Sequence, residues 1–217
     1  MDKIIEKISK IIKEDGTVNF LLKFLNFFKK NYCGVSIKNI YQFDLNNSPP
    51  NISTKINFNV NEATKEDIDL MDEEDYDYDL KGKTYSKNRL EKGDKCFLTI
   101  HNSKIISYVW AMKDHMELSE YKNVPISKNR VYIYKGFVLK EFRGKRIHNL
   151  MDIYLFNYFR RQGKEFVICA IYKDNLSSTK AIERIGFKKI GYISLLRFFG
   201  IKYDYIGKKH LLYLQNP

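Results

Sequence analysis

Arg143, Gly144, Lys145 and Arg146 stand side by side where the apolar, aromatic run "VYIYKGFVL" gives way to the apolar-faced stretch "IHNLMDIYLFNYF". Three cations around one glycine, between a strand pattern and a helix pattern, make a corner built for an anion. The first four amides of a helix lack internal partners and point along the positive end of the helix dipole. The turn entering such a helix is therefore ready for phosphate. Gly144 lets the backbone approach a ligand with no Cβ in the way, and arginine engages phosphate oxygens through two parallel hydrogen bonds. One dipole contact at a wet surface contributes only about 0.3 to 1 kcal/mol, so several amides and cations must act together. A diphosphate suits that demand.

Other residues with chemical potential are more scattered. The four histidines make no metal-ligand spacing with one another or with cysteine, so no metal site is expected. Cys33, Cys96 and Cys169 are odd in number, widely spaced and set in apolar surroundings. That pattern fits reduced thiols in a cytoplasmic protein and not a disulfide framework.

The elements that must position these groups fit a globular chain. Its 217 residues are 44% hydrophobic and 15% aromatic, enough for one domain, or one domain with an appendage, around a real core. No apolar run reaches the roughly 18 to 20 residues that span a bilayer. The start "MDKIIEKISKIIKED" interleaves charge with isoleucine and lacks the apolar block of a signal peptide. The net charge of +12 is uneven, acidic from Glu62 to Asp79 and basic after Lys122. A basic half implies nucleic acid, a membrane surface or a phosphorylated small molecule as partner. Charge alone does not choose among these, and a merely soluble basic surface fits as well.

Asp2 to Asp15 carries isoleucines at helical spacing, with Gly16 to end the helix. "NFLLKFLNFFKK" is apolar nearly all round. These two helices could lie on a membrane, grip a partner, or pack on their own domain. The polar, proline-containing "LNNSPPNIST" reads as a linker. The expected organisation is a helical extension over 1–45, a linker over 46–55 and a domain over 56–217. Within that domain "KINFNVNEA" alternates like a strand, and in "ATKEDIDLM" Thr64 and Asp67 form a helix-starting capping box. "CFLTI" and "IISYVWA" flank the turn-like "HNSK" as a hairpin. "RVYIYKGFVL" is a strand, 147–162 a helix stopped by Gly163, and "FVICAIY" a strand buried on both faces. A shorter helix runs from Ser177 to Ile185, and strands around "GYISLL" and "KHLLYLQ" close the chain. The order predicts an α/β fold with a mixed sheet flanked by helices.

With these pieces in order, the sequence resembles the GNAT acetyltransferase superfamily. That family's acetyl-CoA loop reads Arg/Gln-x-x-Gly-x-Gly/Ala between a strand and a long helix, and "VLKEFRGKRIHNLM" carries the strand, Arg143–Gly144, Ile147 and the helix. Asn175 after the next strand, with Gly186–Phe187 eleven positions on, resembles the family's second motif. The likeness runs from about Ile56 to Ile190. It implies a mixed, partly splayed central sheet. It also implies acetyl-CoA as cosubstrate and transfer of the acetyl group to an amine by direct attack in a ternary complex.

Carried over by position, the resemblance gives backbone groups at Phe137 and Val138 the pantetheine arm, paired like an added strand. The amides over Arg143, Gly144, Lys145, Arg146, Ile147 and His148 would hold the pyrophosphate. Asn175 would bond the arm where two parallel strands part, and the Val138 amide would stabilise the oxyanion. This chain departs from the pattern at Arg146 and His148, where the family prefers glycine and glycine or alanine. Ordinary backbone angles are expected there, because a left-handed non-glycine residue costs about 1 to 2 kcal/mol. Ile182 stands where many relatives carry a tyrosine that protonates the leaving thiolate, and Lys135 lies near the place of a frequent strand carboxylate. Tyr132, Tyr134, Tyr172, Asp114 and His115 are the remaining proton-transfer candidates, with Tyr134, Tyr172 and His115 put first. The resemblance implies a small-molecule or peptide amine as acceptor and leaves its identity open. The missing tyrosine and carboxylate leave open a catalytically idle acyl-CoA-binding module. A basic nucleic-acid binder would explain the charge but not Asn175 with Gly186–Phe187. The oligomeric state stays open, a homodimer among the options.

Overall fold

The computed structural model describes residues 33–71, 83–119, 122–198 and 201–215. The helices expected before residue 33, and any membrane contact they make, lie outside them. The elements run β1 (Cys33–Asp44), β2 (Asn59–Glu62), α1 (Lys65–Leu70), α2 (Lys83–Glu91), β3 (Lys95–His101) and β4 (Lys104–Met112). They continue with β5 (His115–Ser119), β6 (Lys122–Pro125), β7 (Arg130–Val138), α3 (Ile147–Arg161) and β8 (Phe166–Tyr172). The chain closes with α4 (Leu176–Arg184), β9 (Lys188–Phe198), β10 (Ile201–Ile206) and α5 (Lys208–Gln215). Eight strands form one sheet in the order β10-β9-β1-β8-β7-β4-β3-β2, and β5 pairs with β6 in a separate ribbon. This is the expected mixed α/β sheet. Among the described helices none is long and apolar enough to cross a membrane.

One face of the sheet is covered by α3 and α4. Ile147, Met151, Leu155, Phe156 and Phe159 recur at helical spacing, are all buried, and so lay one apolar stripe of α3 on the sheet. Phe156 stacks on Phe43 of β1 at a centroid distance of 4.1 Å. Gly163, at φ +74°, ends the helix, and the Gly163 and Lys164 amides close onto the carbonyls of Arg160 and Phe159. The opposite face buries Ile40, Leu98, Trp110, Tyr132, Ile193 and Leu195 with Met116 of β5, Val124 of β6 and Leu214 of α5. The expected capping box is present: Thr64 accepts from the Asp67 amide and Asp67 accepts from the Thr64 amide.

Three expectations are corrected. Residues 33–44 are not part of a helical extension, because β1 lies between β8 and β9 and pairs antiparallel with both. Ile40, Tyr41 and Phe43 alternate into the two core layers, which only a strand with both faces covered can do. The stretch expected as a linker ties into the domain: Arg160 donates from Nε to the Leu45 carbonyl (2.6 Å) and from a terminal nitrogen to the Asn47 carbonyl (3.0 Å). Thr54 Oγ1 donates to the Lys145 carbonyl at 2.9 Å. The boundary at 45/46 therefore falls inside the folded unit. "KHLLYLQ" forms the helix α5 and not a strand. An apolar run this short carries no decisive period, and Leu211 and Leu214, three apart, reach the core as one helix face.

Candidate active site

The site begins with a break in the β4–β7 ladder. Tyr108 lies opposite Phe137 and Trp110 opposite Tyr134, so Lys135 and Gly136 together face the single residue Val109. This is a β-bulge, with Lys135 at φ +50°. On the other side β7 pairs in parallel with β8 only from Arg130 to Tyr132, against Phe166 to Ile168. Beyond Tyr132 the two strands part, as expected of a splayed sheet. Ser107 Oγ donates to the Phe137 carbonyl at 2.7 Å, and the Leu139 amide donates to the Ile106 carbonyl at 2.9 Å. Both groups point toward β4. Alternation along a strand turns the Val138 amide and carbonyl to the opposite edge, into the gap left by β8.

The chain then turns through Gly144, at φ +76°, and Arg146, at φ 64° and ψ 14°. Arg146 thus takes a left-handed conformation where ordinary angles were expected, a strain of about 1 to 2 kcal/mol. Its carbonyl receives the first helical bond of α3, from the Leu150 amide at 3.1 Å. No side-chain cap closes the helix start, which leaves the Ile147, His148 and Asn149 amides as the orphan donors of the first turn.

These parts enclose a cleft of about 590 Å³ lined by Gly136, Phe137, Val138, Arg143, Gly144, Arg146, Ile147, His148 and Asn175, and by residues of α4. The structure thus gathers every residue assigned to the cofactor from sequence except Lys145. The Lys145 ammonium lies over the Phe142 ring, 5.0 Å from its centroid. Arg143 Nε donates to the Val138 carbonyl at 3.0 Å, so its guanidinium rests on the strand edge that faces the cleft. Asn175 caps α4 by accepting from the Ser178 amide at 3.1 Å, which leaves its NH2 group as the donor to offer.

The proton-transfer candidates are placed elsewhere. Tyr134 is buried on the opposite face, where its hydroxyl accepts from Arg89 and donates to Asp94 at 3.0 Å. Arg89 also pairs with Glu117. Burial raises the Tyr134 phenol well above its ordinary value, the Asp94 charge adds to this, and Arg89 works against it. His115 pairs with Asp114 beside that cluster. Tyr132 stacks on Tyr134 in the same layer. Tyr172 lies at the end of β8 on a second hollow, lined also by Val35, Ser36, Ile37 and Asn175. It is the one first-choice candidate that shares a neighbour, Asn175, with the cleft. Ile182 is buried with the α3 core residues.

Sequence reasoning missed Lys180 and Arg184, four apart on α4, which add two cations to the cleft. It also missed Asp152. This carboxylate is fully buried in α3, and neither oxygen has a hydrogen-bond partner among the described residues. His148 Nε2 lies 3.7 Å from its Oδ2, within ion-pair range but too far for a hydrogen bond. Burial pushes the Asp152 carboxyl up to about 6, against the pull of His148. The only signal in sequence was the four-residue spacing of His148 and Asp152.

A bulged strand, a basic turn and an uncapped helix thus meet around one cleft. The model of the acetyltransferase (GNAT) family matches residues 59–187, more than half of the 217 residues, and the chain belongs to that family. No curated protein sequence matches it. A GNAT-family acetyltransferase from Colwellia psychrerythraea is similar at TM-score 0.55 and 17% identity, over 82% of this chain and 62% of that one. A GCN5-related N-acetyltransferase from Sphaerobacter thermophilus gives TM-score 0.54 at 12% identity, over 85% of this chain and 56% of that one. A tandem GNAT protein from the clavulanic acid biosynthesis pathway gives 0.53 at 13%, over 79% and 58%. At these identities the likeness is one of fold, and this chain spans about three fifths of the length of each. The family match ends at Phe187 and begins at Asn59, so β1 lies outside it although β1 is central to the sheet.

Proposed function

We propose that the protein transfers an acetyl group from acetyl-CoA to the amine of a small molecule or peptide, by direct attack in a ternary complex. The observation that carries this reading is the uncapped start of α3, which opens onto a cleft bordered by Arg143, Arg146, Lys180 and Arg184. The helix amides and these cations would hold the pyrophosphate. The arm would run back from the turn along Val138, whose amide and carbonyl face the gap. An arm pairing with the Val138 carbonyl takes the place of Arg143 Nε there, freeing that guanidinium for a phosphate. The NH2 group of Asn175 would bond the arm from the other side, and the Val138 amide would stabilise charge on the thioester oxygen. Holding amine and thioester together can supply on the order of 7 kcal/mol of the barrier. No step calls on a metal, and among the described residues no group of His, Cys, Asp and Glu is placed to hold one.

Calorimetric titration with acetyl-CoA tests the reading, beside a double variant Arg143→Glu, Arg146→Glu that melts normally. Saturable binding lost in the variant supports it, followed by thiol release with an amine panel of glucosamine, spermidine and a lysine peptide. No binding by the intact protein overturns it. Binding without thiol release would favour an acyl-CoA-binding module, the reading that the buried Ile182 motivates.

A further inference from the structure

Resting on the acetyl-CoA reading, the transfer needs a proton at the departing sulfur. Ile182 is sealed in the core, and Tyr134 and His115 lie on the far face of the sheet. Among the described residues lining the cleft, His148 is the one with a titratable ring. Its side chain is 30% exposed while that of Asp152 behind it is 0% exposed. The ring lies against Gly136, where a Cβ would overlap its Cε1, and Nδ1 is buried there with no hydrogen-bond partner among the described residues. Gly136 is part of the bulge, the point an arm reaches after running from the basic turn back along Val138 and Phe137.

We propose that His148 is the general acid of the transfer reaction and that Asp152 is the positioning residue that holds its imidazole at the cleft. An unpaired buried carboxylate is costly, and perturbed titratable groups cluster at functional sites. Here the charged group within ion-pair range is His148. The amine nitrogen bonds to the thioester carbonyl carbon, the carbon–sulfur bond breaks, and its electron pair leaves on sulfur. The His148 proton passes to that sulfur to give the thiol, and the proton shed by the amine nitrogen returns to the imidazole. Amine and thioester become amide and thiol with no further reactant.

The charged groups around the ring are Asp152 on its own helix, Arg143 and Arg146 on the turn, and Lys180 and Arg184 on α4. Cys169 of β8 faces Asp152, and burial keeps its thiol neutral.

The test is steady-state kinetics with whichever panel amine reacts, on the intact protein, His148→Gln and Asp152→Asn, each checked for fold by circular dichroism and titrated with acetyl-CoA. The expected result is that His148→Gln lowers kcat about 100-fold and leaves KM for acetyl-CoA unchanged. Asp152→Asn lowers kcat by a smaller factor with KM likewise unchanged, a split that a merely structural role would not give. Wild-type turnover in His148→Gln, or a loss in that variant that falls on KM and not on kcat, overturns the proposal. Absence of acetyl-CoA binding is a different result: it removes the acetyl-CoA reading itself, and this proposal with it.

Discussion

The imidazole of His148 fills the space that a Cβ on Gly136 would occupy. One residue belongs to the first turn of α3 and the other to the β7 bulge, so the contact joins helix and strand at the cleft. Gly136→Ala should push the ring away and cost about 1 to 3 kcal/mol of stability, as overpacking does. His148→Ala empties the same space. In the double variant the clash is gone, so the two substitutions should couple favourably by about 0.5 to 3 kcal/mol. Urea denaturation of the four proteins measures this, and strict additivity would refute the contact.

Asp152 makes stability depend on pH in an unusual direction. Its carboxyl lies at about 6 in the folded protein against an ordinary 3.8. Below the lower value it is protonated in both folded and unfolded states and costs nothing. Between the two, the unfolded chain releases the proton while the folded one keeps it, so stability falls as pH rises. Above about 6 the penalty is complete, on the order of 3 kcal/mol. Asp152→Asn should therefore gain on the wild type by roughly that amount between pH 4 and pH 8, most of it before pH 6. Chemical denaturation at four pH values reads the difference, and parallel curves would show that Asp152 is not buried as described.

Arg146 sets strain against charge. Glycine there removes the left-handed penalty, so Arg146→Gly should stabilise by about 1 to 2 kcal/mol, a rise in Tm of roughly 2 to 8 °C. The same change removes a cation beside the uncapped amides. Acetyl-CoA affinity should drop about tenfold, the size of one charge-assisted hydrogen bond. Thermal melting with and without acetyl-CoA separates the effects: the unliganded variant should melt higher and gain less from ligand.

Local features were legible because they need no distant partner. The capping box of Thr64 and Asp67 and the Arg143–Gly144 corner are each written within a few residues. The splay was reached only through the family resemblance. What escaped is set by distant residues. β1 pairs Ile40 with Ala170 and Gly191, and nothing within its own twelve residues announces partners so far along the chain. Gly186 was read as part of a motif, yet its φ of +100° and its closeness to Phe43 make it a seat for β1. The Arg146 backbone was misjudged because the turn geometry outweighs one residue's preference. Asp152 escaped because a carboxylate on an apolar helix face reads as a polar interruption until the fold buries it.

The place of β1 gives the sharpest contrast with a reading in which residues 1–45 form a separate helical extension. If that segment were dispensable, a protein beginning at residue 46 would fold. The structure requires the opposite, because removing β1 takes Ile40, Tyr41 and Phe43 from the two core layers and leaves β8 and β9 without the strand between them. Bare sheet edges and an opened core should leave the truncated chain aggregation-prone and without a cooperative transition. A point substitution makes the same argument in the full-length protein. Phe43 stacks on Phe156 and tilts against Phe187, so Phe43→Ala should cost about 3 to 5 kcal/mol. Calorimetric melting of both proteins decides the matter: a truncated chain that still unfolds cooperatively, with Phe43→Ala near wild type, would return β1 to the status of an appendage.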